Sequence, residues 1–249
     1  PDIVCFVNGL PLIVIECKDE NVAEPMSEAF SQIQRYSNQR VIGDDFADGL
    51  EEGSERLFHT NLFSVITRGI EARCGTITAD FDFYHNWKDI FPEEYADGVN
   101  IEPNMRQEIL IKGMFNHEIL IDILKNFTLY TQKGESYVKI ICHYQQYRAV
   151  GKMIKKLQKG TDWRSRSGVI WHTQGSGKSL TMVFLVRKMR SIADLRDYRI
   201  LMVVDRQDLE DQLSETAEHT GELRYDTKTK KIQNIIENRQ ALVKLETDT

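Results

Sequence analysis

Apolar and polar residues change period several times along the chain, and each change predicts an element. Ile3-Val4-Cys5-Phe6-Val7 and residues 10–18 read as two strands joined at Asn8-Gly9, a dipeptide that closes tight hairpins because both residues tolerate positive φ. Over residues 22–40 the spacing becomes helical, with Ala29, Phe30, Ile33 and Tyr36 on the apolar side. Residues 62–66 and 74–78 predict two further strands separated by Arg68-Gly69, and residues 80–95 are aromatic and irregular. Ile109, Leu110, Met114, Ile119, Leu120, Ile123, Leu124 and Phe127 recur at helical spacing and predict a helical connector over residues 101–137. A short apolar run from Val138 then leads into a glutamine-rich aromatic segment, a basic helix over 152–159 and a polar loop over 161–167. Val169-Ile170-Trp171 predicts a buried strand, a helix starts near Leu180, residues 200–204 predict a second buried strand, and a helix follows over 207–217. Strand, loop, helix, strand, helix is the opening of a parallel α/β domain.

Composition adds an electrostatic division. Of 249 residues, 41% are hydrophobic, enough for one large core or two modest ones. The net charge of −6 hides an asymmetry: residues 1–100 carry 19 acidic and 7 basic side chains, residues 101–249 carry 19 acidic and 25 basic. Two units with different electrostatic tasks are expected, the second able to meet nucleic acid. Cys5, Cys17, Cys74 and Cys142 have no metal-type spacing and read as free thiols of a reducing cytoplasm. No apolar run approaches the ~20 residues of a membrane span, and the chain reads as a soluble piece of something longer.

Two constellations carry chemistry. The first is Gly175-Ser176-Gly177-Lys178-Ser179, between the strand-like Val169-Ile170-Trp171 and a helix. A glycine-rich turn with inward N–H groups, followed by a helix N-terminus, cradles phosphates. Lys178 is expected to reach the β- and γ-phosphates of a nucleoside triphosphate and Ser179 to sit on Mg²⁺, with Gly175 and Gly177 permitting the close approach. His172 stands where the fuller form of the motif has its first glycine, which points to helicase-type NTPases.

The second is Asp2 with Glu16-Cys17-Lys18 at neighbouring strand ends, a pair of carboxylates and a lysine suited to holding Mg²⁺ and activating water for phosphodiester hydrolysis. Gln32 and Tyr36 lie four apart and so project from one helical face. A hairpin closed by Asn8-Gly9 alone would set Asp2 opposite Ile15 and send Glu16 to the other side of the sheet. A shared metal therefore demands one extra residue or a bulge near Gly9 to Pro11.

Taken together, Pro1-Asp2, Ile15-Glu16-Cys17-Lys18, the Gln32/Tyr36 pair, residues 144–150, 170–179 and 203–209 make the chain resemble the restriction (R, or HsdR) subunit of type I restriction-modification enzymes. The resemblance implies an α/β fold: a PD-(D/E)xK nuclease-like core over 1–100, and the start of a RecA-like superfamily 2 helicase (P-loop NTPase) domain over 138–249. It implies Asp2, Glu16 and Lys18 as the nuclease triad, Asp2 and Glu16 as metal ligands, and Gln32 with Tyr36 as the accessory pair. It implies Thr173, Gly175, Ser176, Gly177, Lys178 and Ser179 as the nucleotide loop. Gln146 best matches an adenine-reading glutamine, although the adjacent Gln145 could take its place. Asp205-Arg206 match a motif that contacts DNA or shapes the cleft. ATP and Mg²⁺ would be cofactors, and double-stranded DNA with methyltransferase (M) and specificity (S) subunits would be partners, with no membrane. No Asp-Glu-x-His box occurs in residues 207–249, so no ATP turnover is expected of this stretch alone. The same residues also allow a non-cutting DNA translocase, or an acidic interaction domain joined to a regulatory nucleotide-binding domain.

Overall fold

Ile3–Val7 (β1) and Leu10–Lys18 (β2) form the predicted hairpin at one edge of a four-stranded sheet in the computed structural model. The structure describes residues 1–39, 53–93, 102, 104–133, 136–198 and 200–201; of 132–133, 225–226 and 231–232 it describes the backbone. Phe63–Arg68 (β3) lies parallel to β2, and Glu71–Gly75 (β4) returns antiparallel to β3, giving the order β1-β2-β3-β4. Parallel pairing requires a crossover, and Pro25–Tyr36 (α1) lies within it.

That helix is shorter than its apolar pattern suggested. Glu24 takes a left-handed φ of 50° and Pro25 opens the first turn, so residues 22–24 stay outside the helix; at the other end Asn38 is left-handed with φ 57°. α1 packs Met26, Ala29 and Ile33 on Val14 and Ile66 of the sheet, with Phe58 and Tyr84 closing the cluster. The other face of the sheet meets Arg106–Lys112 (α2), where Phe63 and Phe115 make an edge-to-face contact at 5.8 Å.

Asn116 caps His117–Asn126 (α3), its side chain accepting from the Glu118 N–H. Helical spacing does not continue through the predicted connector: Thr128–Lys133 (β5) and Ser136–Ile141 (β6) form an antiparallel hairpin. Isoleucine and leucine at mixed spacing fit either period; in the hairpin Leu129 and Ile141, on its opposite faces, are both buried. The hairpin is tied to the sheet's end, where Thr76 Oγ1 donates to Lys139 O at 2.7 Å and the Lys139 N–H donates to Thr78 Oγ1 at 2.8 Å.

Tyr144–Lys159 (α4) and Lys178–Arg190 (α6) pack together, with Phe127 set between Tyr147 and Phe184 at ring distances of 4.9 and 5.5 Å. The polar loop expected over 161–167 contains one helical turn, Trp163–Arg166 (α5), because Asp162 and Ser165 cap it reciprocally. The buried strand expected at Val169-Ile170-Trp171 is not formed. Val169 is 94% and Trp171 84% exposed, and no described residue pairs with their backbone as a ladder. A parallel strand gains its stability from neighbours on both sides, which its own apolar run does not supply.

Residues 1–198 make one compact unit and residues 199–249 another. In the second, Tyr225–Asp226 (β7) pairs antiparallel with Lys231–Ile232 (β8). Ile200 and Leu201 belong to no strand, and the remainder of the predicted 200–204 strand, the helix over 207–217 and the candidate DNA contacts Asp205 and Arg206 lie outside the described residues.

Candidate functional site

Asn8 and Gly9 close the first hairpin with φ of 51° and 82°, pairing Val7 with Leu10 and Phe6 with Pro11. The register then shifts: Cys5 faces Ile13, and Leu12 is the extra residue of a bulge opposite the Cys5–Phe6 step. Pro11 has no N–H to give to a ladder, and the irregularity falls directly after it. Beyond the bulge Ile3 faces Ile15, so continuing by one residue sets Asp2 beside Glu16. A hydrogen bond agrees with that placement, since Asp2 Oδ2 accepts the Cys17 N–H at 2.7 Å.

Glu16 is 1% exposed at the end of β2. Its Oε1 accepts from Lys18 Nζ at 3.1 Å, while its Oε2 is buried with no hydrogen-bond partner. Lys18 Nζ also donates to Gln32 Oε1, and Gln32 Nε2 donates to the Tyr36 hydroxyl, so the amide on α1 bridges lysine and phenol. Burial raises the Tyr36 pKa; the Gln32 amide opposes that shift, and the Glu16 and Asp2 charges add to it. The phenol therefore stays protonated at neutral pH. All five residues singled out in the first hundred, Asp2, Glu16, Lys18, Gln32 and Tyr36, are brought together. A buried carboxylate oxygen without a partner is costly, and a hard divalent cation is the ligand that such an oxygen suits. The residues fit Mg²⁺ as a two-carboxylate site; among the described residues no group of three His, Cys, Asp or Glu could hold a metal.

The phosphate loop forms between residue 172 and α6. Gly175 and Gly177 adopt φ of 77° and 75°, Ser176 Oγ donates to Thr173 O at 2.7 Å, and Gly177 caps the helix that begins at Lys178. Lys178 Nζ folds onto the loop carbonyls of Thr173 and His172 at 2.9 and 3.2 Å. A methyl group on Gly175 would meet open space, which leaves room for a phosphate; one on Gly177 would lie 2.6 Å from Gln146 Nε2. Ser179 occupies the first turn of α6 and is half-buried.

Gln146 is held by the protein at both ends. Buried to 1% exposure, it accepts the His143 N–H at 2.8 Å and donates to Gly177 O at 3.0 Å, bracing the loop from the start of α4. The adjacent Gln145 has a buried Oε1 without a partner and lines a cavity of about 650 Å³ with Tyr144, Arg148, Trp171 and His172. Of the two glutamines, Gln145 has the spare acceptor.

Residues 1–83 match the family model described as type I restriction enzyme R protein N terminus, and residues 145–246 match that of the SWI2/SNF2 ATPase. The chain is 33% identical over 220 residues to the type I restriction enzyme HindI endonuclease subunit of Haemophilus influenzae, an alignment covering 87% of this chain and 19% of that subunit. The chain belongs to the type I restriction enzyme R family. The type I restriction enzyme SsaAORF53P endonuclease subunit of Staphylococcus saprophyticus is a more distant relative, 25% identical over 218 residues, covering 86% of this chain and 20% of that subunit. The chain thus spans about a fifth of the length of these curated relatives. In this R-family chain the carboxylate cluster lies within the first match, and the phosphate loop with Gln145 and Gln146 lies within the ATPase match.

A further group was not visible in the sequence. His85 stacks on His143 at 3.9 Å, and Cys74 Sγ lies 3.7 Å from His85 Nε2. Burial lowers the His85 pKa to about 3 and lowers that of His143, while it raises the Cys74 thiol to about 12. Neutral imidazoles and protonated thiols make this a packing junction between the end of β4 and the start of α4. Nothing in the spacing of residues spread over 74–143 announces it.

Proposed function

We propose that the chain supplies the nuclease site and the first nucleotide-binding elements of an ATP-driven restriction subunit, which acts with methyltransferase and specificity subunits on unmodified double-stranded DNA. The two parts correspond to a PD-(D/E)xK nuclease core and the opening of a RecA-like motor. The observation that carries the reading is the unpartnered, buried Oε2 of Glu16, set beside Asp2 by a bulge and ringed by Lys18, Gln32 and Tyr36.

Asp2 and Glu16 would hold Mg²⁺, which lowers the pKa of bound water and polarises the scissile phosphate. Lys18 is oriented by Glu16 Oε1 and Gln32 Oε1, so its ammonium is placed at the carboxylates and available to the attacking water or the phosphate. Gln32 and Tyr36 keep that lysine and the site's edge fixed, at a distance in sequence that only the helical repeat brings together. The reaction adds water across one P–O bond, leaving a phosphate monoester and a hydroxyl. At the second site, Lys178 would exchange its carbonyl contacts for the β- and γ-phosphates of ATP, and the loop N–H groups would complete the cradle. Duplex translocation is the use proposed for that ATP.

Glu16→Gln removes one ligand charge while keeping shape. In the assembled enzyme it should abolish Mg²⁺-dependent DNA cleavage and leave ATP hydrolysis running. Cleavage at the wild-type rate would overturn the assignment of the cutting site to Glu16; an assembled wild-type enzyme that hydrolyses ATP without cutting would leave a non-cutting translocase.

A further inference from the structure

α4 and α5 are charged unlike the rest of the chain. From Tyr144 to Tyr198 there are 12 Lys and Arg but only three Asp and Glu, in a protein whose net charge is −6. Lys152, Lys155, Lys156 and Lys159 are all exposed. At 3.6 residues per turn they fall within an arc of roughly 100°, on the side of α4 opposite the buried Tyr147, Val150 and Ile154. Arg164 and Arg166 extend the surface onto α5.

No described carboxylate forms an ion pair with any of these six residues. The nearby Asp162 caps α5, accepting the Ser165 N–H at 2.8 Å, and attracts Arg166 without closing an ion pair, so one acidic side chain borders the patch. Lys152, Lys156 and Arg166 line one cavity wall that contains no Asp or Glu, so they share a side of the molecule. Arg166 is held in place by donating Nε–H to Gly160 O at 3.0 Å, and the Lys155 ammonium lies 4.6 Å from the Phe91 ring centroid. Lys152 to Lys159 covers about 10 Å of helix, a length over which duplex DNA presents several phosphates at one charge per about 1.7 Å of axis.

We propose that this α4–α5 surface is a second contact for duplex DNA, gripping the phosphate backbone without reading sequence and separate from the Asp2/Glu16 site. It rests on the reading above that the subunit acts on duplex DNA. Two other partners fit less well. A membrane-surface helix presents an apolar face for lipid, and the apolar face of α4 is already buried in the fold. A protein interface has an apolar centre inside a polar rim; Trp163, Val169 and Trp171 are exposed beside the basic arc, but the arc between Lys152 and Lys159 itself holds no apolar residue.

The test measures the affinity of the complete subunit for a duplex of arbitrary sequence across a range of salt concentrations. Wild type is compared with Lys152, Lys156, Lys159 and Arg164 changed together to Gln, and with the lysines changed to Arg. The Gln set should bind at least tenfold more weakly at low salt, and its log K against log salt slope should fall by about 0.9 for each phosphate that is no longer neutralised. The Arg set should keep the wild-type slope, which separates the effect of charge from that of misfolding. A Gln set with the wild-type slope overturns the proposal, as does weakened binding confined to vesicles of anionic phospholipid or to a polyglutamate probe. A wild-type subunit with no duplex affinity would overturn the functional reading as well.

Discussion

Lys18 is the residue whose removal separates packing from chemistry. Glu16 is nearly inaccessible and Lys18 Nζ donates to it at 3.1 Å, so Lys18→Met leaves a buried carboxylate without its cation. Breaking a buried pair from one side costs about 3–5 kcal/mol. Denaturant unfolding should show a loss of that order, and the Glu16→Gln, Lys18→Met double variant should recover much of it. A Lys18→Met protein as stable as wild type would mean that Glu16 is solvated. At the phosphate loop, Gly175→Ala and Gly177→Ala should differ. Both add a side chain at positive φ, with a strain of about 1–2 kcal/mol, but only Gly177→Ala also drives a methyl group into Gln146. Gly177→Ala should therefore show the larger drop in melting temperature and in nucleotide affinity; equal effects would contradict the brace. Both sets of residues were legible because their chemistry dictates spacing. Gln145 was not separable from Gln146 in the sequence, since which amide is taken up by backbone partners depends on where α4 meets Gly177.

The β1–β2 hairpin shows how one element sets a site. Asn8-Gly9 fixes a two-residue turn, and that turn alone would place Asp2 and Glu16 on opposite sides; the bulge at Leu12 restores the pairing. Inserting one residue between Asp2 and Ile3 should carry Asp2 opposite Cys17, on the other face from Glu16, with Mg²⁺-dependent cleavage lost while nucleotide binding at the distant loop persists. Retained cleavage would show that Asp2 is dispensable. The bulge was readable from the demand that two carboxylates share a face. Elements whose period is ambiguous were read less well. β5 continues an Ile/Leu-rich stretch that reads as helix, and the apolar Val169-Ile170-Trp171 forms no ladder, because apolar runs of this length do not specify their partners. The parallel pairing of β2 with β3 joins residues far apart in the chain, Ile13 with Phe63, and no local signal encodes it.

Across the molecule, the sheet and the helices of residues 1–198 meet at the His85–His143 stack. Burial holds the folded-state pKa of His85 at about 3 against an ordinary 6.5, so between those values the unfolded chain binds the extra proton. Stability is then fully present above pH 6.5 and is lost progressively as pH falls towards 3. The melting temperature should decline over that window, and His85→Phe, which keeps a ring in the stack, should flatten the decline; an unchanged profile would contradict the burial. The larger question at this scale is whether two sites in one chain act as one machine. The most direct measurement is double-strand cleavage of unmodified DNA by the assembled enzyme carrying Lys178→Ala, with and without ATP. The account predicts no cleavage in either condition, although Asp2, Glu16 and Lys18 are untouched, because in the proposed function cutting depends on the ATP-driven movement. ATP-independent breaks at the wild-type rate would contradict it and leave nuclease and motor merely tethered.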